Sequence, residues 1–543
     1  MDDLTRLVRA WIADDVDDAA GAELQALLDA GSEAADTELA DRFGGSLAFG
    51  TAGLRGPLRA GPNGMNRTVV RRTAAGLAAW LNARTPGAIV VIGYDGRHGS
   101  YDFAHDSAAI FAAAGFDARV LPRLLPTPVL AFAVQHLGAA AGVMVTASHN
   151  PPQDNGYKVY AGDGAQIVPP MDVEIEAAIR AVGPTREIPL SQQYTTLGEE
   201  IVQAYVVAIA GLIDDGPRDV RIVHTAMHGV GTEVVTRVFQ AAGFTPLLEV
   251  PQQAAPDPDF PTVSFPNPEE PGALDLALAL ARDNDADVVI ANDPDADRCA
   301  VAVPESTAAP DAGVWRTLRG DEVGVLLADA LLHKGIRGTY ATTIVSSTML
   351  RALSAEHGVG YAETLTGFKW ISRAAPDLVF GYEEALGYAV APELVRDKDG
   401  ISAALLIAEL AAALKAANSS LPRRLDELAA QYGRYATDQV SIRVDDLTII
   451  ADTMGRLRAM PPSTLLDEPV TVTDRLPDAD VLTLTWPGGR VVVRPSGTEP
   501  KLKAYLEVVV ADGSRDEATR RLARLRTEVE SLIQPPGTAN PGS

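Results

Sequence analysis

Cysteine is nearly missing from this chain: Cys299 is the only one. Its solitude excludes an intramolecular disulfide framework and any CxxC zinc or redox motif, and it suits a reducing compartment. Positive charge is scarce as well. Lys and Arg number 46 against 72 Asp and Glu, for a formal charge of −26, and such a field repels nucleic acid and anionic membranes at long range. An anionic ligand must therefore meet a local basic pocket. Long apolar runs are also lacking. The nearest to a membrane span, residues 403–417, is interrupted by Glu409 and Lys415, whereas a span needs ~20 nearly uncharged residues. The opening Met1-Asp2-Asp3-Leu4-Thr5-Arg6 has neither the basic start nor the apolar core of a signal peptide. The expectation is a cytoplasmic protein with no nucleic-acid or membrane partner; the sequence leaves its oligomeric state open.

What is present is a packed globular composition, 47% hydrophobic and 22% charged over 543 residues, long enough for three or four domains at ~150 residues each. Leu4, Leu7, Val8, Trp11 and Ile12, then Leu24, Leu27 and Leu28, recur at helical spacing and predict helices that cover another element. From about Ala88 onward, short β-branched runs alternate with Ala- and Leu-rich helical runs, the pattern of parallel sheets with crossover helices. Such sheets place ligand loops at the carboxyl ends of their strands. Pro- and Gly-bearing stretches near 183–184, 304–313 and 431–435 mark boundaries. The expected domains are 1–195 (with an N-terminal helical extension), 196–313, 314–432 and 433–534, with 535–543 a disordered tail. The first three read as α/β, mixed-sheet units reusing one supersecondary plan. The last reads as α+β, from the alternating runs 481–485 and 490–493 and a helical run from Asp516 to Ile533.

Each unit carries a polar loop after an apolar run. Tyr94-Asp95-Gly96-Arg97 follows one such run in the first unit. Asp293-Pro294-Asp295-Ala296-Asp297 sets three carboxylates at alternate positions after a strand. Like charges so concentrated call for a cation, and an all-oxygen donor set favours Mg²⁺ or Ca²⁺ over zinc. An EF-hand is excluded, because its glycine is here Arg298 and its twelfth position Pro304. A solvated acidic turn is the plainer alternative. Thr146-Ala147-Ser148-His149-Asn150-Pro151 puts a hydroxyl at a strand end beside an imidazole, a candidate nucleophile without the glycines of a hydrolase elbow; alone it would read as a turn. Arg494-Pro495-Ser496-Gly497-Thr498, with Lys501 and Lys503 next, is either a phosphate cradle or a hairpin turn. Gly229-Val230-Gly231 has Val234 where a dinucleotide fingerprint needs its third glycine, and close helix packing explains the pair equally well.

Taken in order, these motifs resemble the phosphoglucomutase and phosphomannomutase enzymes of the phosphohexomutase superfamily over nearly the whole chain, closest to a phosphoglucomutase-2 and phosphopentomutase-like subgroup. The resemblance implies four domains around a central cleft, each contributing one loop. It implies that Ser148 carries a phosphoryl group, one oxygen of which joins Asp293, Asp295 and Asp297 in holding one Mg²⁺ per active site. It makes Lys158, in Asn155-Gly156-Tyr157-Lys158, the first choice for proton transfer and Arg55, in the segment 49–56 with Thr51, a stabiliser of charge. His149 is either a further catalytic group or a residue that fixes the loop. Sugar-phosphate contacts are implied for Thr51 and Arg298, for Gly367 and Lys369, for Glu383, Glu384 and Lys398, and for Arg494, Ser496, Gly497, Thr498 and Lys503; Arg373 adds nearby charge. Where the family's sugar loop has Ser, this chain has Leu386, and Tyr388 stands where some members have His.

The activity so implied interconverts a hexose 1-phosphate and 6-phosphate, glucose first and mannose second. Glucose 1,6-bisphosphate would serve as activator and intermediate, and the domain beyond a hinge at 431–435 would move. The competing activities are a phosphopentomutase, a glucose 1,6-bisphosphate synthase, or a sugar-phosphate or Ca²⁺ binder that keeps the fold without turnover.

Overall fold

A computed structural model of the chain describes residues 3–51, 53–305, 314–444, 446–496 and 501–534. The N-terminal periodicity folds as three helices, Asp3–Asp14, Asp18–Ala30 and Glu33–Phe43. Asp17 and Ser32 cap the second and third with their side chains, satisfying main-chain amides that a helix start leaves unpaired. Val8, Leu24 and Leu39 bury against Ala60, so the extension covers the first domain as its apolar spacing requires.

Three mixed sheets follow. The first orders Leu54–Pro57, Asp154–Ala161, Ala141–Val145, Ile89–Tyr94, Asp117–Val120 and Thr195–Thr196. The second orders Trp315–Thr317, Ala300–Pro304, Val288–Ala291, Ile222–Thr225 and Leu247–Glu249, and the third Gly360–Thr364, Thr339–Thr343, Leu378–Glu383 and Gly387–Ala389. Because Trp315–Thr317 pairs with Ala300–Pro304, the stretch 304–313 separates two neighbouring strands of one sheet. The second sheet thus extends past residue 313, into the segment expected to open the third domain.

One plan recurs. In each mixed sheet a strand with a parallel neighbour ends in a polar loop and returns as an antiparallel strand: Ala141–Val145 to Asp154–Ala161, Val288–Ala291 to Ala300–Pro304, and Leu378–Glu383 to Gly387–Ala389. Each of the three loops holds a non-glycine residue in the left-handed region: Ser148 at φ 51°, Ala296 at 55° and Leu386 at 65°. L-residues adopt that conformation only when the surroundings impose it, and it concentrates at functional sites.

The C-terminal sheet is antiparallel, in the order Arg434–Arg443, Lys501–Val510, Gly489–Pro495, Leu482–Trp486 and Thr471–Asp474. Its period of two separates its faces. Val491, Val493, Ala504, Leu506 and Val508 join the core closed by the helices Thr448–Ala459 and Arg515–Ile533, while Val492 and Tyr505 pack on Ile344 and Val345 of the third domain. Gly433, at φ 91° and ψ 158°, makes the single-residue turn into this sheet, a conformation essentially closed to other residues. Buried Glu507 accepts hydrogen bonds from Ser347 Oγ (2.7 Å), Thr348 N (2.8 Å) and Thr348 Oγ1 (2.8 Å) across the interface.

The apolar stretch around 403–417 is the helix Gly400–Ala416, whose first half is buried in a core shared by the first three domains and whose last turn reaches the surface. Among the described residues, no single helix is long and apolar enough to cross a membrane.

Candidate active site

The loops at the ends of the first two sheets meet face to face. Ser148 Oγ donates to Asp293 Oδ2 at 2.7 Å and lies 3.2 Å from His149 Nδ1. Ser148 is only 3% exposed, and Asp293, Asp295 and Asp297 are essentially inaccessible. One oxygen from each of these three carboxylates lies within 4.8 Å of the others. The triad is therefore no solvated turn, and Asp295 Oδ1 and Asp297 Oδ1 have no hydrogen-bond partner. Buried, uncompensated carboxylate oxygens are costly, and an all-oxygen group of this kind suits a small divalent cation of the Mg²⁺ type.

Two lysines offset the charge. Lys158 Nζ stands 2.7 Å from Asp295 Oδ2 and 3.1 Å from Asp297 Oδ2; Lys398 Nζ reaches Asp297 Oδ2 at 3.2 Å from the third domain. Burial works against the charged form of every one of these groups. For Lys158, burial is outweighed by Asp295 and Asp297, and its pKa rises. For Asp295, burial is outweighed by Lys158 and by the Thr127 hydroxyl, which holds the carboxyl below its ordinary range. For Asp293, burial together with Asp295 and Asp297 outweighs the pull of Arg298 and pushes it well up. Burial and the cations Arg298 and Arg55 push His149 well down, leaving a neutral imidazole beside Ser148 Oγ.

The acidic loop is fixed from three sides. Thr127 gives it both a main-chain bond to Asp295 O (2.9 Å) and a hydroxyl bond to Asp295 Oδ2 (2.7 Å). A Cβ on Gly229 would fall 2.3 Å from Pro294 Cα, so only glycine lets that backbone approach. Gly231 opens its helix with the site of its missing Cβ 3.1 Å from Ala296 Cβ. Close packing, and not a dinucleotide, accounts for this glycine pair.

Several of the remaining candidates tie neighbouring loops and domains together. Arg55 donates to Asn150 Oδ1 at 2.9 Å, and Lys369 Nζ to Thr51 Oγ1 across the first and third domains. Gly367, at φ 109°, turns the chain into the short helix Phe368–Ile371 that carries Lys369. Arg373 binds Gln166 O at 2.7 Å. Arg298 lies 3.8 Å from Glu269 and forms an isolated β-bridge with Gly387, locking the acidic loop to the loop that leads into Gly387–Ala389. Arg494 and Lys503 are direct partners across the last hairpin, on the same sheet face as Tyr505. Arg494 bonds Tyr505, which in turn feels the charges of Glu384 and Glu383. Ser496 begins the hairpin turn, its N–H on Lys501 O at 2.8 Å; Gly497 and Thr498 lie outside the described residues.

The loop between Leu378–Glu383 and Gly387–Ala389 is tied into its own domain. Glu384 accepts from Ser346 Oγ (3.0 Å) and Thr343 Oγ1 (3.2 Å) of its own domain. Glu383 is pushed up to about 7 by burial, against the pull of Lys398. Leu386, 2% exposed, and Tyr388, fully buried with its hydroxyl on Gly320 O, turn into the shared core.

Sequence reading alone does not single out Arg97, Thr127 or Phe260. Arg97 was within reach: its loop follows Ile89–Tyr94, the strand hydrogen-bonded beside the one that leads to Ser148. Thr127 and Phe260 act across domains and leave no local pattern.

Comparison with known proteins agrees with this arrangement. Four family descriptions match in order: phosphoglucomutase/phosphomannomutase alpha/beta/alpha domain I over residues 46–185, domain II over 203–306, domain III over 319–434 and the C-terminal domain over 455–527. The chain is 46% identical to a protein of Haemophilus influenzae named probable phosphomannomutase, across 87% of this chain and 98% of that one. It is 36% identical to mouse phosphopentomutase (91% and 88%) and 34% identical to a phosphoglucomutase of Staphylococcus haemolyticus (86% and 91%). The open form of the Paramecium phosphoglucomutase parafusin shares the fold, with TM-score 0.72 at 19% identity over 91% of this chain and 95% of that one.

Proposed function

Because the chain belongs to the phosphoglucomutase/phosphomannomutase family and is a mutase of that class, we propose that it interconverts glucose 1-phosphate and glucose 6-phosphate, with mannose phosphates as second substrates. Ser148 would be the phosphoryl carrier. The observation that supports this reading most is the Ser148 hydroxyl, held in a left-handed turn and 2.7 Å from a carboxylate of the buried aspartate triad.

Asp293, Asp295 and Asp297, with an oxygen of the Ser148 phosphoryl group, would hold Mg²⁺, which when bound neutralises charge on the group being transferred. The chain's own residues do the rest. In the first half-reaction the bond from phosphorus to Ser148 Oγ breaks and a bond to a sugar hydroxyl forms, giving a sugar bisphosphate. The sugar hydroxyl gives up its proton as Ser148 Oγ gains one. Lys158, held between Asp295 and Asp297, would give a proton to Ser148 Oγ and recover the one released by the sugar hydroxyl, ending protonated as it began, and would run the same exchange backward in the reverse direction. Burial of Ser148 keeps water from intercepting the phosphoryl group. Arg494 and Lys503, side by side on the last sheet, would hold the phosphate that is not reacting, and Arg55 and Lys369 would bear on the one that is. After the bisphosphate turns around, the same steps run backward and rephosphorylate Ser148. Rotation about Gly433 would let the last domain accommodate both orientations.

A second reading, interconversion of pentose 1- and 5-phosphates, is favoured by Leu386 and Tyr388: with both side chains in the core, neither reaches a hexose hydroxyl. A coupled assay with Mg²⁺ and a trace of glucose 1,6-bisphosphate, offering glucose, mannose and ribose 1-phosphates separately, decides between them. Highest kcat/KM on glucose 1-phosphate supports the first reading, and on ribose 1-phosphate the second. Accumulation of a bisphosphate without isomerised monophosphate would instead indicate a synthase.

A further inference from the structure

We infer that Arg97 is a positioning residue that holds the Ser148 main chain in its strained conformation, roofed by Phe260 from the second domain. This inference rests on the reading of Ser148 as the reacting residue. The Arg97 side chain is 1% exposed. Its Nη2 donates to Ser148 O at 2.5 Å and Asn150 O at 2.6 Å, and its Nη1 to Pro151 O at 2.9 Å and Asp154 O at 3.1 Å. One planar fork thus gathers four carbonyls from a single loop, a pattern that needs guanidinium geometry and that an ammonium on a shorter stem cannot reproduce.

The loop needs such a hold. Ser148 sits at φ 51°, where a side chain is disfavoured. Inside the loop, Ser148 N bonds Thr146 Oγ1, Asn150 N bonds Ala147 O, Asp154 N bonds Pro151 O and Asn150 Nδ2 bonds Asp154 Oδ2, but none of these bonds takes the Ser148 carbonyl, which Arg97 does. Asp95 sets the arginine in turn. Its Oδ1 accepts from Arg97 N (3.1 Å) and Ser100 Oγ (2.8 Å), and its Oδ2 lies 3.4 Å from Arg97 Nε. From the other side the Phe260 ring centroid lies 5.0 Å from Arg97 Cζ. The Phe260 loop is itself pinned, with Asp257 N on His228 O at 2.9 Å.

With all four Nη hydrogens directed at main-chain carbonyls, Arg97 has none of them left for a sugar phosphate. It therefore acts through Ser148 and not by binding substrate. A displacement of the reacting oxygen by about 1 Å lowers turnover about 100-fold, which sets the expected effect.

The test uses the full chain with Arg97→Lys, Arg97→Ala and Phe260→Leu. It measures kcat per phosphorylatable Ser148, KM for the sugar phosphate, and hydrogen exchange of a peptide spanning 146–155. For Arg97→Lys, kcat falls about 100-fold while KM stays within about threefold, and exchange quickens in 146–155 alone. Added guanidinium ion restores part of kcat to Arg97→Ala. Phe260→Leu, which leaves every bond within the first domain, shows the same signature on a smaller scale and decides the matter where the arginine variants fail to fold. Unchanged kcat and exchange would overturn the inference, as would a rise in KM at constant kcat. Faster exchange at 146–155 in a protein whose wild type lacks mutase activity would leave the loop-holding role standing and remove the reading on which its catalytic meaning rests.

Discussion

Lys158 Nζ and Asp295 Oδ2 stand 2.7 Å apart across the seam between the first two domains, both nearly sealed from solvent. The lysine proposed for proton transfer is thus also the counter-charge of the aspartate triad. Removing one partner of a buried ion pair leaves the other uncompensated, at about 3–5 kcal/mol. Metal-depleted Lys158→Met is accordingly expected to lose about that much stability, and saturating Mg²⁺ to restore most of it. Denaturant melts with and without chelator check this; an equal loss in both conditions would contradict it. Because Asp295 and Asp297 are held below their ordinary range, the stability they contribute is present above about pH 4 and lost as the pH falls through their folded values.

Glu383 shifts the other way. Its folded pKa, about 7, exceeds the unfolded carboxylate value near 4.5, so its contribution is full below the unfolded value and is lost as the pH rises through about 7. Glu383→Gln has no such dependence. Relative to wild type, the variant should gain stability between pH 5 and pH 8, on the order of 1–3 kcal/mol. Melts of both proteins across that range measure it, and a constant difference would refute it.

Gly229 lies behind the acidic loop, with no room for a methyl group against Pro294. In Gly229→Ala the loop must shift, and support groups of this kind alter metal affinity by about 10-fold or more. Half-saturation by Mg²⁺ should rise accordingly while KM for the sugar phosphate holds. Titration of activity with Mg²⁺ reads this directly. An unchanged titration would mean that the loop tolerates displacement.

Leu386 occupies the position at which relatives were expected to offer a serine, yet its side chain is core. Leu386→Ser should therefore not create a sugar contact. It should destabilise the protein by about 2–5 kcal/mol, as buried leucine truncations do, with the ranking of glucose, mannose and ribose phosphates unchanged. A switch in that ranking would show that the side chain reaches the cleft.

What could be read from the residues was whatever followed a strand. Ser148 and the three aspartates declare themselves because open sheets put their loops at strand ends, and because three carboxylates at alternate positions need a counter-ion. The helical extension was legible from its spacing, and the alternation of the last sheet from its period of two. Arg97 was legible only as part of a polar turn, since its partners lie more than 50 residues on. Lys398 meets Asp297 from another domain, and Thr127 meets Asp295 across 168 residues, distances over which no periodicity speaks. The direction of Leu386 was hidden for a related reason, because a loop residue at positive φ can point either way; Tyr388 sits on the short strand Gly387–Ala389, and for both the packing of two domains decides. The stretch 304–313 reads as a linker, while the strand just beyond it, Trp315–Thr317, still pairs with Ala300–Pro304, a pairing its composition does not announce.

The central claim is that Ser148 carries the transferred group. Incubating the protein with Mg²⁺ and glucose 1,6-bisphosphate, then quantifying phosphate on the Ser148 peptide by mass spectrometry before and after one equivalent of sugar monophosphate, tests it most directly. The account expects phosphate at Ser148 that is lost to the sugar on mixing, and none of this in a folded Ser148→Ala protein that turns over no substrate. Turnover undiminished in Ser148→Ala, or phosphate carried by another residue, would contradict it.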